Sequence, residues 1–392
     1  MATLTLARTL ALGFVTFLLM LPETLPVPVL KGLVVERFGV SGPAATWFMA
    51  ANLLGALLTA PLLGLWVDRR GRRRGLCLVA LGVDALLMQA LAHPHDYVSF
   101  LALRMAEGAA HIAALTLVMS LAADAAGERR GRTLGSIGAG LTLGVALGAA
   151  IGGQLGKRDP LLTLHAASVV LLFATLLAAW LLPADTPVTA RPGLGTQLRA
   201  LQNEPRVRTP LLLAFVDRFT VGFFTTGFPL LLGKVHHVDP PRIGMLLSAF
   251  LLPFAVLSWP FGRAAETWSR PALVATGSLV YGLGVMLVGV LPVAALWWLM
   301  PLLGIASAVM FVPTLVWLLE RAPGVGRTTL MALFHGMGSF GFLVGTLACG
   351  ALIRLGGTAD DEGHAYALAF TVAGLSEVAG AALVVLAVRR GR

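Results

Sequence analysis

Apolar runs of about 20 residues recur along the whole of this 392-residue chain, and its charges fall almost entirely in the gaps between them. Runs of that length cross the hydrocarbon of a bilayer as helices, because each backbone N–H and C=O must find its partner inside the segment. Nothing shows the period-two alternation that a membrane barrel requires. Hydrophobic residues make up 57% of the chain and charged ones 12%, too few to clothe a soluble core of this size. The expected class is an all-α membrane protein.

Twelve spans are expected, at 9–36, 43–67, 74–92, 97–123, 132–155, 161–182, 209–233, 241–263, 271–291, 294–319, 328–354 and 365–388. The segment 183–208, with Pro183, Pro187, Pro192, Pro205 and four arginines, is polar enough to separate two sets of six. Residues 1–182 are thus read as an N-terminal six-helix bundle, 183–208 as a cytoplasmic linker and 209–392 as a C-terminal six-helix bundle. Arg8 followed by Leu10–Leu21 imitates a secretory leader, but no small-residue cleavage site follows, so it is read as a retained first span.

Of 29 Lys and Arg, seven fall on one side of these spans: Lys31, Arg37, Lys157, Arg158, Lys234, Arg242 and Arg354. Arg104 and Arg218 lie within spans, and the other 20 share the side of the N-terminus. By the positive-inside rule both termini are expected in the cytoplasm, in a bacterial inner membrane. The same placement explains the net charge of +10 without nucleic acid as a partner. Cys77 and Cys349 lie in separate spans and suggest neither a disulfide nor a metal site. No cofactor is expected, and the protein is read as a monomer surrounded by lipid.

Between the second and third runs stands Gly64-Leu65-Trp66-Val67-Asp68-Arg69-Arg70-Gly71-Arg72-Arg73-Arg74. The spacing Gly-x-x-x-Asp-Arg-x-Gly-Arg resembles the loop between helices 2 and 3 of the major facilitator superfamily. That resemblance implies a secondary transporter, with two pseudo-symmetric six-helix bundles and a substrate site near mid-membrane. It also implies that Gly64, Asp68, Arg69, Gly71 and Arg72 gate the transport cycle, with Asp124 near the end of helix 4 as the partner of Arg72. Topology alone would require the arginines but not this spacing.

The halves echo one another. Val40–Gly64 aligns with Val238–Gly262 without a gap, and beyond it Asp68 meets Glu266 and Arg72 meets Arg270. Gly131-Arg132-Thr133 likewise matches Gly326-Arg327-Thr328. Helix 5 carries Gly140, Gly144, Gly148, Gly152 and Gly156 at every fourth position, a stripe on which another helix can pack closely. The run from Gly144 to Gly153 also resembles the helix 5 motif of drug–proton antiporters, with Ala149 where that motif has proline.

Ionisable side chains inside a bilayer cost on the order of 2.5–3.5 kcal/mol on insertion scales and therefore mark function. Arg104, Glu107 and His111 are spaced three and four apart, on one side of helix 4. Arg104 to Gly108 resembles the family's helix 4 pattern of arginine, two variable residues, glutamine and glycine, with Glu107 in place of glutamine. Glu23 in helix 1 lies at a similar depth, and the resemblance implies that helices 1 and 4 line the cavity. Glu23, Arg104, Glu107, His111 and, in helix 7, Asp217 are the candidate proton- and substrate-binding residues. Phe219 and Phe223, in register with Phe215, would face the cavity, pack in the bundle or meet lipid. Asp84 and Glu377, in helices the resemblance makes peripheral, are expected to serve in structural hydrogen bonding or at an interface.

The expected activity is proton-coupled export of a small amphiphilic molecule by alternating access. The alternative is proton-coupled uptake of an organic solute such as a carboxylate, with Arg104 as its counter-ion. The chain has no His-Glu-x-x-His, no Gly-x-Ser-x-Gly and no phosphate-binding Gly-rich loop ending in Lys-Ser/Thr, so neither an enzyme nor direct ATP driving is expected.

Overall fold

The structure, a computed structural model, describes residues 6–70, 73–94, 96–125, 130–182, 207–321, 327–356 and 362–390. Among these residues twelve long helices follow one another and no strand occurs. They are α1 (Leu6–Thr24), α2 (Gly42–Arg70), α3 (Arg73–Ala90), α4 (Tyr97–Ala125), α5 (Arg130–Gly156) and α6 (Leu161–Leu181). The second set is α7 (Arg208–Leu230), α8 (Pro240–Thr267), α9 (Arg270–Val288), α10 (Val293–Arg321), α11 (Arg327–Gly356) and α12 (Glu362–Arg390). Each expected run is covered by helix, continuous or interrupted, with ends displaced by a few residues. Ten of these helices are long and apolar enough to cross a bilayer. α3 falls short of that measure because Arg73, Arg74 and Asp84 stand within its 18 residues. Side chains along the second half of α2 lie mostly outside the described residues.

Large apolar side chains stand exposed along α6 (Leu172, Phe173, Leu176, Trp180) and α9 (Leu279, Val280, Leu283, Leu287). In water such faces would drive aggregation, whereas against lipid they are the natural outer surface. The chain is an all-α integral membrane protein.

Two compact units make up the chain. The first comprises Met1–Ser41, Trp47–Ala190 and Val238–Ser248, and the second Gly42–Thr46, Arg191–His237 and Ala249–Arg392. In the first, α1 lies along α5, and α3 packs on both α4 and α6. In the second, α7 lies along α11, and α9 packs on both α10 and α12. The same pairing six helices later is the repeat that the sequence echoes announced.

The glycine stripe of α5 is the contact surface for α1. A Cβ on Gly140, Gly144, Gly148 or Gly152 would collide with the backbone of Gly13, Phe17, Leu21 or Leu25, so only glycine allows this approach. Thr24 Oγ1 secures the crossing by donating to the Val145 carbonyl at 2.7 Å. Gly341 and Gly345 of α11 meet the backbone of Phe215 and Phe219 in the same manner.

The single helix expected over 9–36 is broken. After Thr24 the chain passes through a 3₁₀ turn, Val27–Val29, into a π-helical turn, Lys31–Glu36. Pro26 and Pro28 lack the N–H that would continue an α-helical ladder, so the backbone re-registers there. α7 does the same beyond Pro229, where a π-helical turn runs over Leu231–Val235.

Charged side chains also organise the helix ends. Arg37 donates to the carbonyls of Leu91, Ala92 and Pro94 at the end of α3, at 3.2, 2.7 and 3.0 Å. Its guanidinium lies 4.9 Å from the Phe38 ring centre. Partial burial lowers the Arg37 pKa from its usual value, with Asp159 acting in the opposite sense. Asp96 caps α4 by accepting from the Ser99 N–H at 2.8 Å, and that hydrogen bond holds its carboxyl below the usual aspartate value.

Candidate functional site

The first unit buries a polar cluster assembled from four helices. Its floor is set where α2 crosses α4. A Cβ on Gly55 would strike the backbone of Met105, and one on Gly108 the backbone of Asn52, so both glycines are needed for the two helices to touch. The crossing delivers Asn52 to Glu107. Asn52 Nδ2 donates to Glu107 Oε2 at 2.9 Å, and Arg104 Nη1 reaches the same oxygen at 2.5 Å. Arg104 and Glu107 have no exposed surface at all. The guanidinium is stacked on Phe48 of α2, 4.5 Å from the ring centre, which replaces part of the hydration that burial removes.

One turn further along α4, His111 Nδ1 lies 3.0 Å from Asp84 Oδ2 on α3. With Asp84 ionised the Nδ1–H donates, and Nε2 is left with its lone pair. Nε2 stands 3.9 Å from Glu23 Oε2 on α1, and neither atom has a hydrogen-bond partner. Glu107 Oε1 is also buried and unpartnered. Glu23 is the most accessible of the group, its side chain 18% exposed against 8% for His111.

The structure therefore brings together four of the five candidate binding residues, Glu23, Arg104, Glu107 and His111. It adds three that the sequence reading did not place there. Asp84, expected only in structural hydrogen bonding or at an interface, holds His111. Asn52 and Phe48 hold the Arg104–Glu107 pair. Asn52 is the one amide in the apolar run of α2, and that isolation was the available signal. Asp84 shares its buried stripe with Cys77, Leu81 and Met88, so an inward-facing α3 carboxyl could have been read from spacing.

The fifth candidate, Asp217, belongs to the second unit and is buried on α7. Adjacent positions on a helix diverge by about 100°, so spacing alone does not require a pair with Arg218. The Arg218 side chain is long enough to fold back, bringing Nε to 3.7 Å from Asp217 Oδ2 while its guanidinium covers the Phe311 ring at 4.6 Å. Glu377 on α12 is buried, with Oε1 unpartnered.

Phe215, Phe219 and Phe223 stack along α7, with centroid separations of 6.2 and 5.2 Å. Phe223 is wholly buried and rests on Phe370 of α12, whereas Phe219 keeps part of its surface.

The side chains of Gly64, Asp68, Arg69, Gly71, Arg72 and Asp124, the expected gating loop and its partner, lie outside the described residues. The equivalent place in the second half is described. Arg270, the counterpart of Arg72, opens α9 and pairs with Glu320 at the end of α10, with Nη2 to Oε1 at 2.7 Å.

No curated protein matches the chain by sequence. Among solved structures, the nucleoside transporter NupG superposes with a TM-score of 0.79 at 14% identity, over 97% of this chain and 98% of that one. The human organic anion transporter TETRAN gives 0.69 at 20% identity, covering 96% and 99%. A D-xylose-proton symporter gives 0.77 at 14% identity, covering 96% of each. Such identities establish a shared fold and no more. The sequence pattern of the Major Facilitator Superfamily, however, matches twice, over residues 12–214 and 210–392, one match to each half. With both halves matched and the fold shared end to end, this chain belongs to the major facilitator superfamily of transporters.

Proposed function

We propose that the protein is a proton-coupled carrier that exports a small amphiphilic or lipophilic organic molecule across the bacterial inner membrane by alternating access. The observation that carries this reading is the charge balance of the buried cluster. Glu23, Asp84 and Glu107 supply three carboxyl groups against one permanent cation, Arg104. In a low-dielectric site, two uncompensated negative charges are costly and are relieved by binding positive charge. Glu23, the most accessible carboxyl, exchanges the proton, and Glu107 and His111 extend the path inward. Asp217 is the corresponding group of the C-terminal bundle, 209–392. Phe219 and Phe215, stacked on each other and partly exposed, supply apolar, planar surface suited to lipophilic cargo, and the buried Phe223 backs them.

Uptake of a small organic solute with protons is the second reading, and similarity to a D-xylose-proton symporter speaks for it. A carboxylate cargo fits less well, because the charge of Arg104 is already matched by Glu107.

Reconstitution in proteoliposomes with a trapped pH dye tests both. Cargo-driven proton flux is expected in the wild type and absent in Glu23→Gln. Unchanged flux in Glu23→Gln and in Glu107→Gln would remove the cluster from the coupling path. The sign of the flux relative to cargo movement separates export from uptake.

A further inference from the structure

We propose that Glu23, Glu107 and His111 form a binding site for one borderline-soft divalent transition-metal ion of the Zn²⁺ class. The potential ligand atoms of these three residues lie within 4.8 Å of one another. A tetrahedral ion with bonds of about 2.0–2.1 Å places its ligands about 3.3 Å apart. Side-chain rotations of roughly an ångström therefore close the site, and the pair Glu23–His111 is already at 3.9 Å.

Independent of proximity, the outward-facing valences are vacant. Glu23 Oε2, Glu107 Oε1 and His111 Nε2 are buried and make no hydrogen bond. Leaving three acceptors of this kind unpaired in a protein interior is expensive unless something binds them. The opposite atom of two of these groups is already held. His111 Nδ1 is fixed by Asp84, and Glu107 Oε2 by Arg104 and Asn52. A carboxylate on the far nitrogen of a histidine selects the tautomer with a free Nε2 lone pair and orients the ring, as outer partners do at metal centres. Arg104 does not oppose the ion outright, since its charge is matched by Glu107 on the other oxygen.

Charge closes as well. Three carboxylates, one arginine and a neutral imidazole leave two negative charges, which one divalent cation neutralises. The donor set decides the class of ion. An imidazole with two carboxylates suits Zn²⁺ and its neighbours, while Ca²⁺ and Mg²⁺ require larger all-oxygen shells. Three protein ligands leave a fourth position open, on the side where Glu23 keeps some exposure.

The test uses the full-length protein in detergent, titrated with ZnCl₂ by calorimetry, with zinc K-edge absorption of the loaded sample. One equivalent bound, with nitrogen and oxygen but no sulfur ligands, is expected. Glu23→Gln and His111→Gln should each weaken binding at least about 100-fold, and Asp84→Asn by about 10- to 100-fold through loss of ring orientation. Excess MgCl₂ should leave the titration unchanged. His236→Ala with His237→Ala, at an exposed pair far from the cluster in sequence, should retain the ion. Loss of zinc in that double variant, or undiminished binding in both Glu23→Gln and His111→Gln, would overturn the site. Glu23→Gln, at the most exposed ligand, keeps the test decisive if His111→Gln fails to fold. Zinc binding is read at equilibrium without cargo, so it can fail or hold independently of the proton-flux assay above.

Discussion

Arg104 enters the cluster through one nitrogen, Nη1, while its Nε and Nη2 are buried without a hydrogen-bond partner. It is fully buried, paired with Glu107 and stacked on Phe48, and each contact compensates for lost hydration. Removing one side leaves the other charge buried alone. Arg104→Ala should therefore lower stability by about 3–5 kcal/mol, read as a fall in the thermal transition of the purified protein. Asn52→Ala, which removes only one donor to the charged Glu107, should cost about 1.5–3 kcal/mol in the same assay. A loss for Asn52→Ala as large as that for Arg104→Ala would show that the amide, and not the guanidinium, anchors the cluster. Asp96 gives a pH signature outside the membrane. Its carboxyl titrates below the ordinary aspartate value because the ionised form caps α4. Its contribution is thus fully present above that ordinary value and is lost as pH falls through the lowered one. Asp96→Asn should remove this component of the acid-induced fall in stability and leave the transition at neutral pH nearly unchanged.

At the scale of helices, glycine placement decides which pairs can form. Gly152 lies against the backbone of Leu25, whereas a Cβ at Gly138 of the same helix would meet nothing within 4 Å. Gly138→Ala should stabilise by about 0.4–1 kcal/mol, because alanine loses less entropy on ordering. Gly152→Ala should destabilise by about 1–3 kcal/mol or more, since backbone cannot yield as a side-chain tip can. Equal effects at the two sites, in thermal unfolding of the purified protein, would refute the packing role of the stripe. That stripe was legible in the sequence at every fourth residue, but its partner was not. Spacing along one helix defines a face, and only the folded chain shows that α1 fills it. The break of α1 into 3₁₀ and π turns was foreshadowed by Pro26 and Pro28, although prolines alone do not set which irregular turn follows.

On the scale of the whole molecule, repetition and topology are the governing features. Arg270, which aligns in sequence with Arg72 of the first half, holds the start of α9 to the end of α10 through Glu320. The pair is partly exposed, so it is worth less than about 1 kcal/mol to stability. A part in the transport cycle has its own signature: Arg270→Glu should reduce cargo flux in proteoliposomes several-fold, and adding Glu320→Arg should restore much of it. No recovery in the double variant would mean that the ion pair has no part in the cycle. The positive-inside rule, applied to the 20 basic residues that share one side, predicts that single cysteines placed in 183–208 and after Arg390 react with impermeant thiol reagents from the cytoplasmic side only. Membrane class, helix number and the two-fold repeat followed from sequence because each depends on local properties. The bilayer reads apolar length segment by segment, it reads basic charge loop by loop, and the repeat is a matter of chain order. The polar cluster depended on something else. Glu23, Asn52, Asp84 and Glu107 lie on four different helices, and two glycines on α2 and α4 decide that Asn52 meets Glu107. Contact between helices is set by packing across sequence separations that no period along the chain records. Tertiary structure alone could reveal that Asp84 holds His111 and that three buried acceptors face one another unpaired.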